Sequence, residues 1–425
     1  INANDKENEL FNSNEQKWGK IVNKELITKM LEVYNLSKDS ENMNENITKN
    51  YNHIKKSYNL NVIANHYKNI LKDDIKPDEY KKKEVVEVIE DIIPVKENVE
   101  ILVIGDLDTL RKRMDKNIYK FFTYLKNYSK YHIIFITKKT EGFYDGIHIN
   151  EMIAKHCITK NPIIYSLVYD RVEKSMVSGL NEYNGNKIYD LEDVYDIPNL
   201  IECIKVNKYN YIIYKYECEQ QSEIIRCCPE IQFYRMPHYI DLRSFNKKES
   251  ERTIDLLLYG NNSNFYPFRQ RLFRLVKNSD INYYEIPFPG YGDERNPCLS
   301  EPIVERHLAN IINLSKFTIC TCSSFNYLLK KYFESALCGS VIIGNIPEQD
   351  KDIFGDNYIN VNDSMSDSHI INIIKDSIEY YKSEKIQNMR INMYNNVKKN
   401  YTYQEGMKKF DKFINYTFNK SVIKS

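Results

Sequence analysis

No stretch of this sequence approaches the roughly 20 consecutive apolar residues that a bilayer-spanning helix needs. Its first residues are polar where a secretory leader would carry an apolar core. A soluble, cytoplasmic chain is expected. Net charge is lacking too: 60 basic residues stand against 59 acidic ones, a formal +1, with no long block of one sign. That removes the electrostatic footprint of a nucleic-acid binder. The cysteines number nine, an odd count, and Cys203, Cys320 and Cys338 lie inside apolar runs, where a free thiol behaves as a small hydrophobe. A reducing compartment fits that usage. The pairs Cys227/Cys228 and Cys320/Cys322 lack the two-residue gap and the second pair of a zinc site, so no metal is expected. The chain opens at Ile1 and not at a methionine, which suits a piece of a longer protein, with room for an anchor or a second enzyme outside it.

What is present is enough apolar material for two or three domains: 42% of 425 residues, at roughly 100–200 residues per domain. Residues 1–94 are polar, yet Trp18, Ile21, Val22, Leu26, Met30 and Leu31 recur at helical spacing, so a helical N-terminal extension is expected, able to bind a protein partner or to dimerise. At Val99 the pattern changes. Ile101–Leu102–Val103–Ile104 runs into Gly105 and is followed by Leu107, Leu110, Met114, Ile118, Phe121, Phe122 and Leu125 at helical intervals, a buried strand feeding a helix. Further short apolar runs at Ile133–Ile136, Ile163–Val168 and Tyr211–Tyr214 complete a doubly wound domain over 95–240. A polar linker, 241–252, precedes a second start: Ile254–Tyr259 ends in Gly260, and Pro267 opens a helix. Strands at Tyr283–Ile286, Phe317–Cys320 and Val341–Ile343, with helices around Ile303–Leu314, Phe325–Leu337 and Ile370–Tyr381, predict a second Rossmann-like domain over 253–395. Residues 396–425 carry Tyr403, Met407, Phe410, Phe413 and Ile414 at helical spacing and predict a helix that packs back on the first domain.

Two such domains make a cleft between the carboxyl ends of their sheets, where doubly wound sheets bind ligands. Gly260, Asn261 and the residues up to Ser263 form one candidate wall. Arg269 falls in the first turn of the helix opened by Pro267, where a cation opposes the helix dipole unless an anion such as a diphosphate is also present. A solvated arginine alongside Arg271 and Arg274 is the plain alternative. The second passage is Lys330 to Ile343: an amphipathic helix ended by Gly339 before a buried strand, with Glu334 off the apolar stripe. A carboxylate there can accept both hydroxyls of a ribose, and a helix start near Ser323 and Ser324 could hold phosphate oxygens. Its bland counterpart is a Lys330–Glu334 ion pair at i,i+4 spacing.

Phe333–Glu334–Ser335–Ala336–Leu337–Cys338–Gly339, followed by an apolar strand and Ile346–Pro347–Glu348, resembles the donor-binding motif of group 1 glycosyltransferases and their CgeB-like relatives, which have the GT-B fold. Met236–Pro237–His238–Tyr239–Ile240–Asp241 through Phe245 is similar to that family's crossover between domains, and the resemblance covers about 95–420. It implies two Rossmann-like domains and a nucleotide-diphosphate sugar as co-substrate. Glu334 would lie on the ribose, with Arg269 and the Ser323/Ser324 region on the diphosphate and Lys330 beside them. Many group 1 enzymes carry an earlier glutamate where this chain has Asn326, an amide that can still hydrogen-bond a sugar hydroxyl; CgeB-like relatives often lack that glutamate too. The acceptor would be a hydroxyl of a glycan, protein or small molecule.

Asp106–Leu107–Asp108 is an Asp-x-Asp after a strand, as in metal-dependent GT-A enzymes. No nucleotide-binding unit precedes it, so it reads as a helix start, and no cofactor beyond the co-substrate is expected. For acid–base work the loop Glu141–His148 offers Asp145 and His148 to the cleft. Two other readings stay open: a GT-B-like scaffold that has lost its chemistry, with a blocked or apolar cleft, and another nucleotide-sugar-using α/β enzyme such as an epimerase or a phosphorylase.

Overall fold

The structure is a computed structural model that describes residues 96–105, 107–112, 116–167, 176–194, 196–290 and 305–424. The extension expected over 1–94, Asp106 and the side chain of Asp108 lie outside the described residues.

In chain order the first half contains β1 (Glu100–Ile104), α1 (Leu107–Lys112), α2 (Asn117–Tyr128), β2 (His132–Ile136), β3 (Ile147–His148), α3 (Ile149–His156), β4 (Ile163–Leu167), β5 (Val177–Ser178), β6 (Lys187–Leu191), α4 (Ile197–Val206), β7 (Tyr211–Tyr214), α5 (Glu219–Cys227) and β8 (Gln232–Arg235). Six of these strands form a wholly parallel sheet in the order β2-β1-β4-β6-β7-β8. The chain thus winds one way from β1 to β2 and the other way from β4 onward, with a switch point between β1 and β4. A strand in the middle of such a sheet is covered on both faces. In β1, Ile101 and Val103 enter one core, and Leu102 and Ile104 enter the core on the opposite face.

The second half repeats the plan with β9 (Ile254–Tyr259), α6 (Pro267–Lys277), β10 (Tyr283–Ile286), α7 (Arg306–Leu314), β11 (Ser315–Cys320), α8 (Lys330–Leu337), β12 (Val341–Gly344), a 3-10 turn (Glu348–Asp350), α9 (Lys351–Phe354), β13 (Ile359–Asn360) and α10 (Asp367–Glu379). Its five-stranded parallel sheet has the order β10-β9-β11-β12-β13, which puts the switch point between β9 and β11. Two Rossmann-like domains joined in this way are the GT-B architecture.

Two final helices, α11 (Glu384–Asn400) and α12 (Tyr403–Lys424), carry the chain back. Tyr403, Phe410, Phe413 and Ile414 of α12 are buried in the same core as Ile101, Tyr165 and Tyr211 of the first sheet. Each fully buried side chain of this size contributes about 1.5–3 kcal/mol. The two interdomain crossings run side by side: Ile240 donates its N–H to Tyr401 O at 2.9 Å, and Tyr403 returns an N–H to Ile240 O at 3.1 Å. Among the described residues no helix is long and apolar enough to cross a membrane, and eight cysteines are free thiols.

Candidate functional site

A cavity of about 750 Å³ opens between the carboxyl edges of the two sheets. Its wall on the second domain starts where β9 ends. Gly260 has φ +98°, a conformation that disfavours any side chain, and a Cβ there would stand 3.4 Å from Arg269 Nη1 and 3.6 Å from Lys331 Nζ. The loop then folds on itself, Asn261 Oδ1 accepting from Ser263 N at 3.0 Å, and Pro267 opens α6.

Arg269, in the first turn of α6, is only 1% exposed. Its guanidinium donates to Thr321 Oγ1 at 3.2 Å, to Thr321 O at 3.0 Å and to Asn261 O at 2.5 Å, and lies 4.0 Å from the Tyr266 ring centroid. Every one of these acceptors is neutral. Lys331 on α8 is buried in the same wall; its ammonium donates to Tyr259 O at 2.7 Å. Burial, reinforced by Arg269, lowers the Lys331 pKa to about 7, and burial also lowers that of Arg269. Among the described residues no carboxylate lies within ion-pair distance of either cation. Two buried cations side by side with neutral acceptors make a wall whose charge suits an anion. The start of α8 adds to this, because Lys330 and Lys331 fill its first turn without an acidic residue to satisfy the dipole.

Glu334, one turn further along α8, is 2% exposed. Its Oε2 accepts from Tyr259 OH at 3.3 Å, and Oε1 lies 3.1 Å from Lys330 Nζ without hydrogen-bond angles. The i,i+4 ion pair read from the sequence therefore exists, but inside the cavity wall. Gly260, Asn261, Arg269, Ser323, Lys330 and Glu334 all line this one cavity.

Two sequence expectations on this side need correction. The helix predicted from Phe325 begins at Lys330. Ser323 Oγ accepts from the N–H groups of Phe325 and Tyr327, at 3.2 and 3.4 Å, and Asn326 takes the left-handed conformation with φ +57°, so residues 323–329 form a loop. No helix N-terminus stands at Ser323 and Ser324. Ser324 and Asn326 are exposed and outside the cavity lining; the Ser324 N–H goes to Phe265 O at 2.8 Å. The loop instead carries Tyr327 across to the first domain, where its ring stacks on Tyr216 with centroids 4.1 Å apart and its hydroxyl accepts from Val194 N at 2.9 Å.

The first domain also departs from expectation. Asp145 and His148 are not part of the cavity lining. The loop before them leads into β3, which pairs with β5 in a separate two-stranded sheet and not in the main one. His148 caps α3 there, its Nδ1 accepting from Asn150 N at 3.3 Å, with Nε2 3.3 Å from Glu182 Oε2. The strand ends of this domain reach the cavity with Glu192 and Asp193 after β6, Tyr216 after β7 and His238 after β8, and the start of α2 adds Lys116 and Lys120. Tyr216 OH and His238 Nε2 are 2.8 Å apart. Glu192 pairs with Lys215, whose Nζ is also 3.7 Å from Asp190 Oδ1. Burial pushes the Glu192 pKa up to about 7 against the pull of Lys215, with Asp190 and Asp193 adding to the rise. Sequence reading missed β6 because Lys187 and Asp190 interrupt its apolar pattern; both are buried but partnered, Lys187 by Leu180 O and Tyr183 O, and Asp190 by Tyr165 OH.

No protein-family model matches this sequence, and no curated protein does. Solved structures do resemble it. Sucrose-phosphate synthase from Thermosynechococcus elongatus is 10% identical with a TM-score of 0.49, over 76% of this chain and 100% of that one. Anabaena Alr3699/HepE in complex with UDP and glucose is 9% identical with a TM-score of 0.46, over 75% and 100%. A glycosyltransferase from Rickettsia africae is 10% identical with a TM-score of 0.46, over 75% and 98%.

Proposed function

We propose that this chain transfers a sugar from a nucleoside-diphosphate sugar to a hydroxyl of a glycan, a protein or a small molecule. The observation that carries the reading is the pair Arg269 and Lys331, two buried cations without a carboxylate, beside the backbone of Gly260 at the switch point of the second sheet. A diphosphate fits this chemistry. Its oxygens take the hydrogen bonds and charge that the cations offer, and Glu334 on the same wall offers a carboxylate to the ribose hydroxyls. When the bond from sugar to diphosphate breaks, negative charge develops on the leaving oxygen, where preorganised cations are most effective. The place of Glu334 in the wall also supports the CgeB-like assignment of the Phe333–Gly339 motif, and the free thiols suit a cytoplasmic setting. A scaffold with a closed or apolar cleft is not favoured, since the cavity is open and lined by ionisable groups from both domains.

Because Arg269 and Lys331 supply positive charge at the diphosphate, the proposed reaction calls for no divalent cation and proceeds in the presence of a chelator. The first test is a thermal-shift screen of nucleoside diphosphates and their sugars, with Glu334→Ala alongside. A ligand at 100 times its dissociation constant stabilises the fold by about 2.7 kcal/mol. A selective shift that disappears in the variant supports the reading; a folded protein that responds to no nucleotide removes it.

A further inference from the structure

The diphosphate wall accounts for the leaving group but not for the proton of the acceptor hydroxyl, and the opposite wall carries a group suited to receive it. We infer that Glu192 is the proton acceptor for the incoming hydroxyl. The inference rests on the proposed glycosyl transfer.

Glu192 follows β6 at the carboxyl edge of the first sheet, so it faces the cavity from the side opposite Gly260, Arg269 and Glu334. The other carboxylates in the lining are engaged differently. Asp193 is exposed, Asp241 is held by Arg243 at 2.9 Å, Glu305 by Lys120 at 2.5 Å, and Glu334 belongs to the donor wall. Behind Glu192 stands Lys215 from the end of β7, shared with Asp190, whose Oδ2 accepts from Tyr165 OH at 2.8 Å. One lysine between the buried Asp190 and the half-buried Glu192 leaves the group a charge short. Asp190 is anchored away from the cavity by Tyr165 and does not line it, so the group of the pair that can exchange a proton with substrate is Glu192. The neighbouring Asp193 favours the protonated form, and the near-neutral pKa of about 7 suits a group that must both take and release a proton. The other titratable groups that this side brings to the lining are Tyr216 and His238, Lys116 and Lys120 at the start of α2, and Tyr403 of α12.

The step balances without a co-reactant. The acceptor O–H proton passes to the Glu192 carboxylate as the acceptor oxygen bonds to the anomeric carbon. The bond from that carbon to the diphosphate oxygen breaks, and its electron pair leaves on the diphosphate beside Arg269 and Lys331. Glu192 then releases the proton to water.

Azide separates proton removal from every other role, because it is a nucleophile with no proton to lose. The experiment compares the chain with Glu192→Gln, using the nucleotide sugar that gives the largest thermal shift, at saturation, with water or sodium azide as acceptor. Glu192→Gln is expected to keep the nucleotide shift and to slow hydrolysis about 10²–10⁴-fold. It should lose the rising limb of the pH–rate profile near neutrality, yet transfer to azide at close to the unsubstituted rate, giving a glycosyl azide detected by proton NMR. Hydrolysis left intact in the variant overturns the inference. So does parallel loss of hydrolysis and azide transfer with the shift retained, since that marks a structural role. If the unsubstituted protein shows no nucleotide shift, the donor reading itself has failed, a result distinct from these.

Discussion

The ammonium of Lys331 donates to the main-chain oxygen of Tyr259 at 2.7 Å while lying 4.3 Å from the centroid of the same residue's ring. Both partners can hold a cation without neutralising it. Burial, with Arg269 nearby, brings the Lys331 pKa down from the ordinary 10.5 to about 7. A bound diphosphate reverses that pressure, since an anion beside the amine favours its charged form. Nucleotide affinity should therefore be highest below pH 7 and fall as pH rises, by at most about tenfold per pH unit for one linked proton. The ligand-free protein should move the other way. Its folded state holds fewer protons than the unfolded chain between about pH 7 and 10.5, so its stability rises with pH across that window through Lys331. Calorimetric titration and urea melts at pH 6 to 9 check both signs, and Lys331→Met should flatten both dependences.

Glu334 is buried where a ribose would lie, with a tyrosine hydroxyl and a lysine already on its oxygens. Hydrogen bonds to a charged group contribute about 1.5–3 kcal/mol. Glu334→Gln should thus weaken a nucleoside diphosphate about 10- to 100-fold. The same variant should lose its preference for a ribonucleotide over the 2′,3′-dideoxy analogue, because that preference depends on the two hydroxyls. Equal affinity of the unsubstituted chain for both nucleotides would remove Glu334 from the ribose.

Tyr327 joins the two domains through a stack on Tyr216, with ring planes 4° apart, and through the hydrogen bond from Val194 N. Tyr327→Phe keeps the stack but leaves a buried N–H without its acceptor, a loss of about 1–3 kcal/mol. Tyr327→Ala also opens a cavity beside Tyr216, Phe325 and Val194, and should cost about 3–5 kcal/mol. Urea titration of both variants tests the order; an equal loss would mean that the ring contributes nothing beyond its hydroxyl.

The elements that could be read from the sequence are those whose local signals agree with their tertiary setting. Ile101–Ile104 of β1 and Leu256–Tyr259 of β9 are continuous apolar runs because both faces are covered, and Pro267 and Gly339 mark helix ends through backbone geometry alone. β6 was hidden because its lysine and aspartate are buried with partners 4 to 25 positions away in the chain, which no periodicity registers. Lys331 was hidden for a related reason: next to Lys330 it looks like a solvated charge, and only the approach of β9 and α6 encloses it. The loop 323–329 reads as helix from its apolar spacing, yet Phe325 and Tyr327 face the first domain's core and not a helix neighbour. His148 follows a strand as a cleft residue would, but that strand belongs to a two-stranded sheet of its own.

Gly260 tests the anion site from the side of the backbone. Its φ of +98° costs a residue with a side chain about 1–2 kcal/mol, and the added methyl would stand 3.4 Å from Arg269 Nη1 and 3.6 Å from Lys331 Nζ. That methyl would take up space next to both cations that a phosphate oxygen needs in order to approach them. Gly260→Ala should leave the protein folded, with a stability loss of no more than about 2 kcal/mol, while nucleoside diphosphate affinity falls at least about tenfold, because the methyl fills the space and offers nothing to the cations. The nucleoside without phosphates, held by Glu334, should bind both forms alike. If the variant binds the diphosphate as tightly as the unsubstituted chain, the phosphates do not lie between Arg269 and Lys331, and the reading of those two cations as the diphosphate cradle is wrong.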